Sequence, residues 1–312
     1  MTFLRQAAAA LIAVLPGKML LPLLHALARR LEKAQKVFFT YHLRPVHPAM
    51  RSACRRHEEG VSIVMQGPLV LDHDFTLETV RLYRRNYPGA HIVVSTWMNS
   101  ATDQLSRLRE AGADVRLSAP PGIPGIANIN FQRVSTASGL AAARERESPH
   151  VLKCRTDQRF FAPDLFVFMR ALQTAFPVNG TVQKDRLIAT SLNSFKYRPY
   201  SISDMFVFGR IEDVCLLWDI PEDPRTSPEK GESIFDWSRA EMAEVYIVAN
   251  FLRRLGREPA WTLSDSWRVY ADHFCIMDAS TADLYWPKYE RLREFRSREY
   301  AAEMTNAEMT WK

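Results

Sequence analysis

The sequence predicts an α/β protein: a mostly parallel β-sheet covered by helices on both faces. Three observations carry that expectation. From Gly60 onward, short apolar runs alternate with longer segments of helical periodicity. The short runs are apolar throughout rather than alternately polar, as strands are when both faces of a sheet are buried. Finally, 312 residues that are 47% hydrophobic and 24% charged suffice for one large domain.

The elements follow in order. Val61–Met65 is a β-branched run ending at Gln66-Gly67-Pro68, a strand and its turn. Phe75–Asn86 places Leu77, Val80 and Tyr83 at helical spacing and stops at Tyr87-Pro88-Gly89. His91–Thr96 is a second strand, Asp103–Ala111 a helix closed by Gly112, and Val115–Leu117 a third strand. Ala119–Gly125, with three prolines, is a loop. Asn128–Arg146 is a long Ala-rich helix, and Val151–Cys154 another strand. Further on, Met205–Gly209 is an apolar strand preceded by Asp204. Pro221–Phe235 is a polar, Pro-rich loop with the composition of a mobile segment, and Val245–Leu255 is an apolar helix with Glu241 and Glu244 at its start. Residues past about 294 form a helix or a loose tail.

Charge divides the chain. The net charge is +6, yet residues 1–60 hold ten Lys/Arg against three acids, and the remainder holds 31 against 32. The surplus belongs to the N-terminal segment, so a nucleic-acid partner is not expected. Within that segment Leu20, Leu23, Leu24, Leu27 and Leu31 fall at helical spacing, followed by Arg29, Arg30, Lys33 and Lys36. The apolar runs are too short for the roughly 20 residues of a bilayer span. Two readings stand: an interfacial helix lying on an anionic membrane through residues 1–40, or a helix packed on the domain or a partner. The division expected is a helical segment and linker over 1–59, a domain over 60–293 and a tail over 294–312. Cys54, Cys154, Cys215 and Cys275 show no CxxC pair, which fits a reducing, cytosolic compartment. No GxGxxG, P-loop, GxSxG or HExxH motif is present.

In a parallel sheet, ligands bind beyond the carboxyl ends of the strands. Gln66, Gly67 and Pro68 lie at one such end, Trp97 at the next, and Arg155-Thr156-Asp157-Gln158-Arg159 after the Val151 strand. If that strand continues, alternation puts Arg155, Asp157 and Arg159 on one side. A carboxylate there suits Mg²⁺ or Mn²⁺ against a diphosphate, and arginines suit phosphate oxygens. An Arg–Asp salt-bridge network is the equal alternative. Asn130 and Arg133, three apart at the start of the long helix, face a nucleotide-sugar at the helix N-terminus, or are a helix cap and a solvated cation.

The segments VSIVMQGPL, YPGAHIVVSTW, NINFQRVSTASGL, HVLKCRTDQR, SISDMFVFG and WPKYERLR resemble, in that order, the WavE-type lipopolysaccharide-synthesis proteins. The resemblance runs from about Val61 to Arg293. It implies a GT-A-like glycosyltransferase that moves a sugar from a nucleoside-diphosphate sugar to a lipid-linked or surface-polysaccharide acceptor. Where GT-A enzymes carry a D-x-D metal motif, Arg155-Thr156-Asp157 has only the second carboxylate. Either Asp157 supports Mn²⁺ or Mg²⁺, with His273 as a downstream ligand, or Arg155 supplies the charge and no metal is needed. Asp204, with Glu244 in reserve, is the candidate base, while Asp/Glu in a first helical turn also suits the helix dipole. The expected location is cytoplasmic, peripheral on the inner face of the plasma membrane. The alternatives are a catalytically silent assembly protein of a polysaccharide-synthesis complex, and a nucleotidyltransferase.

Overall fold

A computed structural model describes residues 14–35, 44–48, 57–178, 182–227 and 233–287, in two compact units that meet in sequence at Pro45/Val46. Most of the Gln6–Pro16 run, residues 228–232 of the Pro-rich loop, and the tail past 294 lie outside the described residues. In the first unit the second apolar run is helix α1 (Gly17–Gln35). Leu20, Leu21, Leu23, Leu27 and Leu31 are exposed along it. No helix among the described residues is long and apolar enough to cross a membrane.

The second unit holds a seven-stranded sheet. Its first half runs β1 (Val61–Gln66), α2 (Phe75–Asn86), β2 (His91–Trp97), α3 (Thr102–Glu110), β3 (Asp114–Ser118), α4 (Ile129–Glu145) and β4 (His150–Arg155). The second half runs β5 (Arg159–Phe160), α5 (Leu165–Ala175), β6 (Leu187–Thr190), β7 (Val207–Arg210), α6 (Ile211–Trp218), α7 (Ile234–Arg239), α8 (Ala243–Arg254), α9 (Leu263–His273), β8 (Phe274–Met277) and β9 (Leu284–Tyr285). The strand order is β3-β2-β1-β4-β7-β6-β8, and β5 pairs with β9 in a separate ribbon. Strands β3, β2, β1 and β4 are parallel, β7 is antiparallel to both its neighbours, and β6 pairs parallel with β8. The mostly parallel α/β arrangement is therefore as the sequence implies, with one strand reversed.

Alternation along each strand divides the core in two. Val64, Val93, Val151 and Val207 face α4, α6, α8 and α9. Ile63, Met65, Ile92, Val94, Leu152 and Cys154 face α2 and α5. Helix α4 approaches the sheet closely because residue 139 is glycine: a Cβ there would stand 2.3 Å from Val64 Cγ1 and 3.3 Å from Ser95 Cβ. No side chain fits in that space. One turn earlier Ser135 reaches Gln66 at the end of β1, so α4 runs against the strands and brings its first turn to their carboxyl ends.

Candidate functional site

The carboxyl edge of the sheet is held together by hydrogen bonds from Thr156, main chain and side chain, across strand ends. The Thr156 amide donates to the Gln66 carbonyl at 3.1 Å, and Thr156 Oγ1 donates to the Pro68 carbonyl at 2.6 Å. Gly67, at φ +121°, passes so close that a Cβ would lie 3.1 Å from Thr156 Oγ1. Gln66 is buried, and its Oε1 accepts from Ser135 Oγ at 2.8 Å. The Gln66–Pro68 turn is thus a rigid rim with its side-chain amide turned inward. Beside it Trp97 meets Phe131 edge-on at 5.3 Å.

Beyond β4 the chain turns rather than continuing as a strand, and this decides which basic residues face which way. Arg155 grips Asp157 in bidentate fashion, Nε to Oδ1 at 2.8 Å and Nη2 to Oδ2 at 3.0 Å. Trp286 donates Nε1–H to Asp157 Oδ2 at 3.0 Å, and the Arg155 guanidinium lies 5.4 Å from that indole ring. Burial pushes the Asp157 carboxyl up. The bonds and charge of Arg155 and the bond from Trp286 outweigh it and hold the group below its ordinary range. Both side chains stay about one-fifth to one-quarter exposed, open to a ligand from solvent.

Arg159 is not on that side. Its guanidinium is buried against the first turns of α2, donating to Thr79 Oγ1 and to the Phe75 carbonyl at 2.9 Å each, with the Phe75 ring 4.2 Å away. Burial lowers its pKa to about 10. The assignment of Arg159 to phosphate oxygens is corrected: the turn at Thr156-Asp157 breaks the alternation that assignment assumed.

A second cluster stands on the other side of β4. Because β7 runs antiparallel to β4, with Lys153 opposite Val207, the residues leading into β7 lie at the carboxyl edge. Lys153 is fully buried; its Nζ donates to the Asp204 carbonyl at 2.5 Å and sits 4.2 Å from the centre of the Trp218 ring. Glu244, in the first turn of α8, feels the charge of Asp204. Burial first, then that charge, pushes its carboxyl up to about 7, against the opposing charge of Arg198. Arg198 is itself held over the rings of Phe195 and Trp237, at 3.5 and 4.3 Å. Asp204 and Glu244, read separately from the sequence, are thus interacting carboxyls, and buried Lys153 holds the main chain of Asp204. Glu241, the other acid before that helix, is bound to Arg253.

Two further candidates are placed elsewhere. Asn130 is fully buried; its Nδ2 donates to the carbonyls of Ile123 and Asp223 at 3.0 and 2.8 Å, and its Oδ1 accepts from the Asp223 amide at 2.9 Å. Asp223 also accepts from the Ile126 amide and from Arg225. The start of the Pro-rich loop is therefore pinned to the start of α4, and Asn130 is corrected from donor ligand to structural tie. His273 ends α9 at the amino end of β8, the edge opposite Asp157, where its Nδ1 is 2.7 Å from Gln183 Oε1. A shared metal between His273 and Asp157 is excluded by that topology. Arg133 keeps its place near the edge, its Nη2 3.5 Å from Glu222 Oε2 and its buried Nε without a partner.

Among the described residues no group of three His, Cys, Asp or Glu side chains could hold a metal. Mg²⁺ and Mn²⁺ are, however, commonly held by one or two carboxylates plus substrate phosphates. Asp157 fits that donor set as a single hard-oxygen ligand, in exchange for Arg155. Sequence reasoning missed Trp286 as the partner of Asp157, Thr156 as the tie between strand ends, and Lys153 as the base under Asp204. The presence of lysine in an otherwise apolar strand was the available signal for the last.

The fold and this edge define an α/β protein with a partly open Arg155–Asp157 ion pair beside two interacting carboxyls, Asp204 buried and Glu244 half-buried. The chain belongs to the WavE lipopolysaccharide synthesis family, whose description matches residues 61–279. None of the curated proteins matches it. Solved structures similar to it include glucosyl-3-phosphoglycerate synthase from Mycobacterium tuberculosis, in complex with Mn²⁺, uridine diphosphate and phosphoglyceric acid. That match has 11% identity, covers 77% of this chain and 74% of that one, and has a TM-score of 0.37. A Thermus thermophilus protein described as mannose-1-phosphate geranyltransferase matches at 10% identity over 77% and 80%, TM-score 0.36. A cytidylyltransferase from Leptospira borgpetersenii matches at 14% identity over 54% and 67%, TM-score 0.32.

The raised Glu244 carboxyl has a consequence for stability. Its pKa is higher folded, about 7, than the ordinary 4.5, so its contribution is full below 4.5 and is lost as pH rises through 7. Glu244→Gln removes that loss. In thermal melts its advantage over the wild type is expected to grow between pH 4.5 and 8; an equal difference at both ends contradicts the assignment.

Proposed function

We propose that the protein is a glycosyltransferase acting in lipopolysaccharide or related surface-polysaccharide assembly, with a nucleoside-diphosphate sugar as donor. The observation that carries the reading is the juxtaposition, across β4, of the partly open Arg155–Asp157 pair and the interacting carboxyls of buried Asp204 and half-buried Glu244. The first suits a diphosphate, since a guanidinium binds phosphate oxygens in bidentate fashion once it leaves its carboxylate. The Gln66–Pro68 rim, Trp97 and Arg133 flank the same edge. A divalent ion bound through Asp157 would add positive charge at the leaving diphosphate. The second pair supplies the proton acceptor. As the acceptor hydroxyl oxygen bonds to the anomeric carbon, its proton passes to a carboxylate of the pair, and the bond to the diphosphate breaks with its electrons on the leaving group.

Two features support placement at a membrane. The exposed leucines of α1 share that helix with Lys18, Arg29, Arg30 and Lys33, a combination suited to an anionic interface. A lipid-linked acceptor would be presented at such a surface, here the inner, cytoplasmic face of the plasma membrane.

A silent assembly protein is the competing reading, favoured by the hold of Arg155 and Trp286 on Asp157. Nucleoside diphosphate released from a panel of nucleotide-sugars, with lipopolysaccharide precursors as acceptors, separates the two. Turnover is expected, reduced about a hundredfold or more in kcat by Asp204→Asn or Glu244→Gln. Arg155→Ala should reduce kcat/KM by about tenfold or more. Donor binding without release supports the assembly role, and pyrophosphate as product supports nucleotidyl transfer. Separately, the full chain should float with anionic vesicles and lose that property when residues 1–40 are deleted. Unchanged flotation would refute membrane attachment through this segment.

A further inference from the structure

We propose that Asp223 and Arg225 are positioning residues: together they clamp the start of α8, which carries Glu244, to the start of α4, which carries Arg133. The inference rests on the reading of Glu244 and Arg133 as members of the site, and it adds two residues that reading does not require. Asp223 is wholly buried, and its polar groups are bonded to the start of α4 or to Arg225. Its amide donates to Asn130 Oδ1 at 2.9 Å, and its carbonyl accepts from Asn130 Nδ2 at 2.8 Å. Its Oδ2 accepts from the Ile126 amide, in the turn that leads into α4, at 3.0 Å. Arg225 takes the other side of the carboxylate, with Nε to Oδ1 at 2.7 Å and Nη2 to Oδ2 at 3.1 Å. The same guanidinium reaches across to the carbonyl of Ala240, from Nη1 at 2.6 Å, and to that of Glu241, from Nη2 at 3.0 Å. Those two residues join α7 to α8, and Glu244 lies in the first turn that follows.

The turn before α8 needs such a hold. Glu241 has φ +47°, in the left-handed region that a residue with a Cβ adopts at a cost. Helix α8 itself packs in the apolar layer through Val245, Val248, Phe251 and Leu252, and apolar packing is not directional. Hydrogen bonds from a planar guanidinium are directional, and one fork fixes both carbonyls that precede the helix. An exposed ion pair between residues two apart would have little to hold. Here the carboxylate is buried, so it is stable only while the Ile126 amide and the guanidinium both stay in place. Movement at either helix start is therefore felt at the other. Two further contacts run between the same elements. Tyr246, in α8, donates its hydroxyl to the Pro221 carbonyl at 3.3 Å, and Glu222 Oε2 stands 3.5 Å from Arg133 Nη2. Proton transfer to a carboxylate needs hydrogen-bond reach, and a displacement of about 1 Å can cost about a hundredfold in rate. The clamp sets the spacing of the two helix starts that flank the reaction.

The test compares Arg225→Met with the wild-type full chain in two measurements. Amide hydrogen exchange needs no nucleotide-sugar. Exchange should speed up about tenfold or more at Ile126 and through the first two turns of α8 together, with β1 and β4 unchanged. Acceleration confined to residues 223–227, or to one of the two helix starts, overturns the clamp. In turnover with a nucleotide-sugar and an acceptor, Arg225→Met should lower kcat about tenfold or more, with the donor KM within about twofold of wild type. An unchanged kcat, or an effect on KM alone, overturns the positioning role. If Arg225→Met does not fold, Arg225→Lys takes its place. Lysine keeps a charge beside Asp223 but loses the fork, so exchange should rise in α8 while Ile126 stays protected. Protection retained in α8 of that variant overturns the proposal equally. Wild-type protein that turns over no donor refutes the glycosyltransferase reading, and the exchange result then decides on the clamp by itself.

Discussion

The reversal of β7 is the constraint on which the site depends. Every other strand of the sheet ends at the carboxyl edge; β7 begins there. Were it parallel to β4, the approach Ser203–Phe206 would lie at the far edge with His273. Pairing of Lys153 with Val207 instead brings the Asp204 carbonyl within reach of the Lys153 ammonium. Helix α8 then adds Glu244 from the same side. The parallel half of the sheet supplies the other part: β1 and β4 end together, and Thr156 ties their turns at Gln66 and Pro68. The partly exposed Arg155–Asp157 pair and the interacting carboxyls of Asp204 and Glu244 thus arise around one strand terminus.

Two buried cations near that terminus show how similar side chains come to different uses. Arg159 donates to Thr79 and Phe75 and lies against an aromatic ring, so its role is to join β5 to α2. Lys153, among the described residues, has one acceptor, the Asp204 carbonyl, and lies over the face of Trp218. The difference follows from the turn at Thr156-Asp157, which sends the chain after β4 to the opposite face of the sheet. Buried polar groups of this kind weaken a fold unless they are satisfied. Here the close packing of α4 on Val64 through Gly139 and the continuous apolar layers on both faces carry the stability around them.

Much of this was legible in the sequence, because burial on both faces writes strands as plain apolar runs. Helix α2 has the bounds its periodicity implies, and β1, β2, β3 and β4 extend the expected runs by only one or two residues. The carboxyl ends at Gln66, Trp97 and Arg155 followed from strand direction alone. What periodicity does not encode is where a strand stops pairing or which way it runs. Arg159 was misassigned because Thr156-Asp157 reads as well in a strand as in a turn. The structural role of Asn130 is hidden from the sequence because one of its partners, Asp223, comes from a loop 93 residues downstream. His273 looked available until β8 placed it at the wrong edge. Nothing local to Trp286 announces Asp157, 129 residues earlier, as its hydrogen-bond partner.

The central claim is that the edge formed by Arg155, Asp157 and Trp286 receives a nucleoside diphosphate. Indole ¹H–¹⁵N resonances report it directly, since the tryptophans are few and dispersed through the chain. Titration of the full-length protein with uridine, guanosine, cytidine and adenosine diphosphates, with Mg²⁺ present, should shift the Trp286 indole signal saturably for at least one of them. Trp97 should respond with it, while Trp261, held against Tyr200, stays in place. If none of the nucleotides moves Trp286, or if the saturable response centres on other tryptophans, the edge is not the donor site and the account fails.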